Sequence, residues 1–201
     1  MTPERTKLLE ELAAYGRAHD ARRPDRLKRL RNLEPESARL LWVLLRVMRA
    51  RRVLELGTSN GYSTIWLADA VAGTGDGRVT TVEIDAERAR QAQDNFVRAG
   101  LAERIELTVA EAVSALARSP DDAWDAIFLD AERPHYVDYW PDLFRSLRPL
   151  GLLAVDNVLS HPDEVAAFRR LIETSPSVSA SLSPTGAGLL LVVKEPPDEA
   201  I

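Results

Sequence analysis

At 201 residues the chain has room for one domain with a substantial core. Apolar residues make up 45% and charged residues 28%, ordinary globular usage, and no apolar run approaches the roughly 20 residues that span a bilayer. The lack of cysteine excludes disulfides and thiolate metal sites, so any metal must be held by oxygen or imidazole, and a net charge of -5 argues against a broad nucleic-acid footprint.

The opening stretch MTPERTKLLEEL mixes charge with helix formers and lacks the apolar core and cleavage site of a secretory leader, so cytoplasmic residence is the default expectation. Residues 1–50 read as a helical extension of a core over residues 51–195, within one domain. The basic segment ARRPDRLKRLR, residues 21–31, reads as a solvated face, with contact to RNA or an anionic substrate as the alternative. From Pro35, PESARLLWVLLRVM sets Leu40, Leu41, Leu44, Leu45 and Met48 on one helical stripe, with proline suited to the first turn.

Five short apolar runs follow: RVLEL to Leu56, RVTTVEI to Ile84, IELTV to Val109, AIFLD to Asp130 and LLAVD to Asp156. Each reads as a strand. Helical patterns lie between them: STIWLADAV, AERARQAQDNFVRAG capped by Gly100, and YVDYWPDLFRSLRPLG ending at Gly151. This alternation predicts an α/β doubly wound, mostly parallel sheet with helices on both faces and right-handed crossovers. SVSASLSPTGAGLLLVVK holds two β-like runs about a Pro-Thr-Gly-Ala-Gly turn, a C-terminal antiparallel hairpin, and the tail EPPDEAI is expected to be loose.

Ligands of such sheets bind beyond the carboxyl ends of the strands, and the unusual polar residues gather there. Strand one carries Glu55 and leads into Gly57, Ser59, Gly61, Tyr62 and Ser63; the next ends at Glu83 and Asp85, the third at Glu111, the fourth at Asp130 and the fifth at Asp156 and Asn157. One acid at a strand exit is an ordinary solvated end, but five in succession form a rim. The loop ELGTSNGYS lacks the G-x-G-x-x-G spacing that brings a backbone against a pyrophosphate, which disfavours a dinucleotide. What remains is a glycine-lined turn into a helix N-terminus, suited to a small carboxylate, and Glu83, suited to a ribose diol. A ligand with a carboxylate, an amine, a ribose and an adenine but no pyrophosphate is S-adenosylmethionine.

Together VLELGTSNGYSTIWLA, TTVEID, IFLDAERPHYVDYW and LLAVDNV, in this order and spacing, make the chain resemble the cation-dependent O-methyltransferases of catechol and caffeoyl-CoA type, from about Leu33 through Asn157. The resemblance implies a Rossmann-like fold. It also implies that Glu55, Gly57, Tyr62 and Ser63 line the methionine part of the cofactor, that Ser59 and Asp130 border it, that Glu83 holds the ribose and that Glu111 lies near the adenine. Asp130, Asp156 and Asn157 would bind a divalent cation, magnesium by their all-oxygen character. An Asx turn after the strand is the plain alternative for Asp156 and Asn157.

One departure affects the chemistry. Members of this family carry a lysine soon after the first metal-binding aspartate, regarded as the base, and here DAERPHY places Arg133 there. Arginine keeps its proton at neutral pH. Three arrangements could replace the lysine: Arg133 stabilises the substrate oxyanion, with His161 as helper; His135 or His161 takes the proton; or the metal alone suffices. Aromatics such as Trp42, Trp66, Trp124, Tyr136, Tyr139 and Trp140 read as core and receive no acceptor role.

The leading expectation is a magnesium-assisted O-methyltransferase acting on a small phenolic, catechol-like acceptor, with a homodimer compatible with the resemblance. The alternatives are a metal-independent methyltransferase acting on nitrogen or RNA, and a non-catalytic cofactor-binding protein.

Overall fold

A computed structural model describes residues 1–25 and 28–197. Arg26 and Leu27 of the basic segment, and residues 198–201 of the tail expected to be loose, lie outside the described residues.

The chain opens with α1 (Pro3–Asp20), whose Thr2 side chain accepts the Arg5 amide at 3.3 Å, so one of the free amides of the first turn is satisfied. Proline also opens α2 (Pro35–Val47), which buries Leu41 and Leu45 and half-buries Leu40, Leu44 and Met48, the expected stripe. Both helices pack against α3 (Tyr62–Ala72), where buried Asp69 accepts Arg5 at 2.9 Å and the Trp42 indole at 2.8 Å. The N-terminal 50 residues thus share the core of the sheet's near face.

The strands are β1 (Arg52–Leu56), β2 (Arg78–Glu83), β3 (Ile105–Val109), β4 (Trp124–Leu129), β5 (Leu147–Val155), β6 (Val178–Ser183) and β7 (Leu189–Lys194). They form one sheet in the order β3-β2-β1-β4-β5-β7-β6, parallel from β1 to β5, with β7 antiparallel to both neighbours. This is the expected mostly parallel α/β sheet with a C-terminal hairpin. Val53 to Leu56 are wholly buried because both faces are covered. Helix α4 (Ala86–Arg98) joins α1, α2 and α3 on one face, and α5 (Ala112–Arg118), α6 (Tyr136–Ser146) and α7 (Pro162–Glu173) pack the other around Tyr136, Leu143 and Phe168.

The sequence pattern carries α6 to Gly151, but the helix stops at Ser146. Pro149 has no amide to donate and disfavours helix at the residue before it, and Leu150 takes a φ of +58°. Residues 148–151 instead bulge between the Trp124–Leu147 and Ala126–Leu152 pairs.

The strand order turns at β1 and β4, and the backbone ladder runs one residue past three strand ends. Gly57 donates to Val82 O, Asp130 to Leu56 O and Asp156 to Leu129 O, at 3.0, 3.0 and 3.2 Å. These bonds hold the residues after β1, β4 and β5 on a common rim at the switch point. Among the described residues no helix is long and apolar enough to cross a membrane.

Candidate active site

Two cavities open on this rim. The first, about 450 Å³, lies over β1, β2 and β4. Gly57 forms its floor at a φ of +104°, where an added Cβ would sit 2.3 Å from the Asp130 carbonyl oxygen, so only glycine fits. The Ser59 amide donates to Glu83 Oε2 at 2.7 Å and the Asp85 amide to Oε1 at 3.0 Å. Glu83 is thereby fixed with lone pairs left for a vicinal diol. Asp85 itself caps α4, bonding the amides of Glu87 and Arg88. Exposed Glu111 borders the same cavity beside Ala110, Ala112, Val113 and Tyr139.

Glu55, Tyr62 and Ser63 line neither cavity; they form the layer behind the loop. Glu55 is fully buried and accepts Ser63 Oγ at 2.5 Å, Thr81 Oγ1 at 2.6 Å and the Thr64 hydroxyl. Burial pushes its carboxyl up to about 7, against the pull of these hydroxyls.

Asp130, Asp156 and Asn157 come together. The Asn157 side-chain nitrogen donates to Asp130 Oδ1 at 3.1 Å and to Asp156 Oδ2 at 2.8 Å. Burial, then the charge of Asp156, holds Asp130 well above the usual carboxylate range, and burial with the Glu34 charge pushes Asp156 to about 6. Asp156 Oδ1 is buried without a donor. Two buried carboxylates, one of them with an orphaned oxygen, suit a hard dication, which would neutralise the repulsion between the acids; here the Asn157 amide nitrogen, not its oxygen, faces them. Among the described residues no group of three or more His, Cys, Asp or Glu could hold a metal, so a third side-chain oxygen would come from the Asn157 amide only after it turns its oxygen inward.

The second cavity, about 360 Å³, lies between that trio and the N-terminal helices, walled by Arg17 and Asp20 of α1, by residues 31–35 and by Ala187. Arg31 borders both cavities and bonds Glu132 at 3.0 Å; its amide and that of Leu30 donate to Asp20 at 2.9 and 2.7 Å. Leu30 and Arg31, from the basic segment read as a solvated face, thus form a strap over the cleft.

Arg133 is buried in a 3-10 turn, its Nε donating to Glu164 on α7 at 2.7 Å, and lines neither cavity. His161 precedes α7, with Nδ1 2.9 Å from Ser160 Oγ, which lies 3.3 Å from Asn157 Oδ1. His135 lines the first cavity. The sequence reading missed Arg17, Asp20, Arg31 and Glu34; the spacing of Ala13, Gly16, Arg17 and Asp20 along α1 was the one available signal.

A cleft at the switch point of a mostly parallel sheet, with Glu83 fixed in its wall, is a ligand site of the α/β class. The O-methyltransferase family model matches residues 6–195. A catechol O-methyltransferase of Mycobacterium tuberculosis is 37% identical over 80% of this chain and 74% of its own length; one of Niastella koreensis is 36% identical over 64% and 58%. The crystal structure of a Bacillus cereus O-methyltransferase with S-adenosylhomocysteine superposes at a TM-score of 0.79, with 28% identity and coverage of 94% and 91%. TomG from Streptomyces achromogenes, an O-methyltransferase of tomaymycin synthesis crystallised with S-adenosylmethionine, gives 0.78 at 28% identity, covering 94% and 90%. The chain belongs to the O-methyltransferase family and is an S-adenosylmethionine-dependent O-methyltransferase.

Proposed function

We propose that the enzyme methylates one hydroxyl of a small catechol-like acceptor with help from a divalent cation held by Asp130, Asp156 and Asn157. One observation carries this reading: Asp130 borders the cofactor cavity, Asp156 and Asn157 border the second, and Asn157 bonds both acids. An acceptor oxygen held at the trio would face the cofactor's methyl carbon. The names of the catechol O-methyltransferase relatives support the same acceptor class.

In this reading Glu83 holds the ribose hydroxyls, the Gly57 to Gly61 turn receives the methionine part, and the apolar residues beside Glu111 take the adenine. The protein's contribution is alignment of oxygen and methyl carbon, worth up to roughly 7–11 kcal/mol in intramolecular systems. A bound divalent cation would lower the pKa of the acceptor hydroxyl and anchor its oxygen. We assign proton removal to His161, which lies just past Asn157 with Nδ1 bonded to Ser160, and give Arg133 the structural task of tying the 3-10 turn after Asp130 to α7.

Incubation with labelled S-adenosylmethionine and a catechol panel, with magnesium or excess chelator, tests the reading. Product only with magnesium supports it; product under both conditions removes the cation from the reaction.

A further inference from the structure

The second cavity is bordered by a cation whose side chain has no partner among the described residues. Along α1, Ala13, Gly16, Arg17 and Asp20 fall on one helical face and line the cavity. Gly16 lets residues 31–35 close on that face, since a Cβ there would lie 2.5 Å from Asn32 Nδ2, and Asn32 bonds the Leu12 carbonyl at 3.1 Å. The other charges are committed. Arg31 pairs with Glu132, Asp20 accepts two amides and the His19 ring, and Glu34 stands with Asp156, where negative charge is what a dication requires. The solvent-exposed Arg17 guanidinium makes no hydrogen bond or ion pair with any described residue.

We propose that Arg17 binds a carboxylate on the acceptor, so that the enzyme's substrates are catechols bearing an acidic substituent; this rests on the catechol reading above. A guanidinium presents a planar fork that matches a carboxylate bidentately, and an unpaired one in a concave site favours an anion over a neutral ring. The cavity of about 360 Å³ has room for one ring with a short acidic arm. Its two ends then ask for different groups, paired oxygens at Asp156 and Asn157 and an anion at Arg17.

The test is calorimetric titration of 3,4-dihydroxybenzoate and of 4-methylcatechol into protein saturated with S-adenosylhomocysteine and magnesium, using wild type, Arg17→Ala, Arg17→Lys and Arg17→Glu. Wild type should favour the acid by about tenfold or more, the scale of a charge-assisted pair. Arg17→Ala should abolish that preference, Arg17→Lys keep part of it and Arg17→Glu reverse it. Equal binding of the two ligands by wild type, or a preference that survives Arg17→Ala in protein that melts like wild type, would overturn the proposal. Turnover is read separately: an Arg17-dependent preference without methyl transfer supports the subsite and sinks the catechol reaction.

Discussion

Arg133 Nε donates to Glu164 Oε2 at 2.7 Å, joining the 3-10 turn after β4 to α7 with the arginine side chain only 3% exposed. The pair stands where the resemblance leads one to expect a catalytic base. Breaking a fully buried pair costs roughly 3–5 kcal/mol, and because Glu164 reaches solvent we expect about 2 kcal/mol for Arg133→Ala, read as a lower melting temperature. At temperatures well below melting, methyl transfer should change little. A large loss of kcat with unchanged melting would instead put the guanidinium at the reacting oxygen.

His161 occupies the only proton route assigned above. His161→Ala should lower kcat by about a hundredfold or more while leaving cofactor affinity as it was, in keeping with general-base removal. Equal turnover across neutral pH would take this residue out of the reaction.

Asp156→Asn removes one of two buried like charges. At pH 7.5 without metal, the variant should melt roughly 2–4 °C higher than wild type, the shift that about 1 kcal/mol produces in a domain of this size. Magnesium should raise the melting temperature of wild type and not of the variant, and the variant should be inactive. A variant that melts lower without metal would show that the acids are not in conflict.

Glu55 gives a pH signature. Burial raises its folded-state value to about 7, above the ordinary glutamate range, so the folded state holds a proton that the unfolded state has released. Its contribution to stability is therefore full below the unfolded value of about 4.3, and declines as pH rises through about 7. Glu55→Gln keeps an acceptor for the hydroxyls of Ser63, Thr64 and Thr81 and should flatten this decline. Denaturant midpoints measured from pH 5 to 8 check it; parallel profiles for the two proteins would refute it.

Glu83→Ala should weaken S-adenosylmethionine binding about tenfold to a hundredfold, by loss of the ribose contacts and release of the Ser59 and Asp85 amides. Glu83→Gln keeps one acceptor oxygen and should lose less. Equilibrium dialysis with labelled cofactor is the measurement, and wild-type affinity in both variants would move the ribose elsewhere.

The parallel strands were legible because burial on both faces leaves continuous apolar runs, and their acidic exits marked the rim. Asp130, Asp156 and Asn157 could be read for the same reason: they directly follow strands whose ends the sheet aligns. The end of α6 was misread because Leu147 continues the helical stripe of Tyr139 and Leu143, while Pro149, two residues on, is what stops it. The wall of the second cavity was hidden. Arg17, Asp20, Arg31 and Glu34 look like ordinary surface charges until α1 and residues 31–35 fold across the cleft, a tertiary event with no period in the sequence. Arg133 shows the reverse: its place in the sequence suggested a reacting group, and its burial against Glu164 depends on α7, about thirty residues later.

Strand β7 lies inside the sheet, between β5 and β6, although its residues, 189–194, follow both in the chain. Until they emerge from the ribosome the outer edge of β5 has no partner, and the turn that holds the segment after Asp156 is missing: Val158 donates to Gly188 O, and Leu159 and Ser160 to Ala187 O. The second cavity, which Ala187 lines beside Asp156 and Asn157, is therefore finished only by the last hairpin, whereas among the described residues the first is lined by nothing beyond Tyr139.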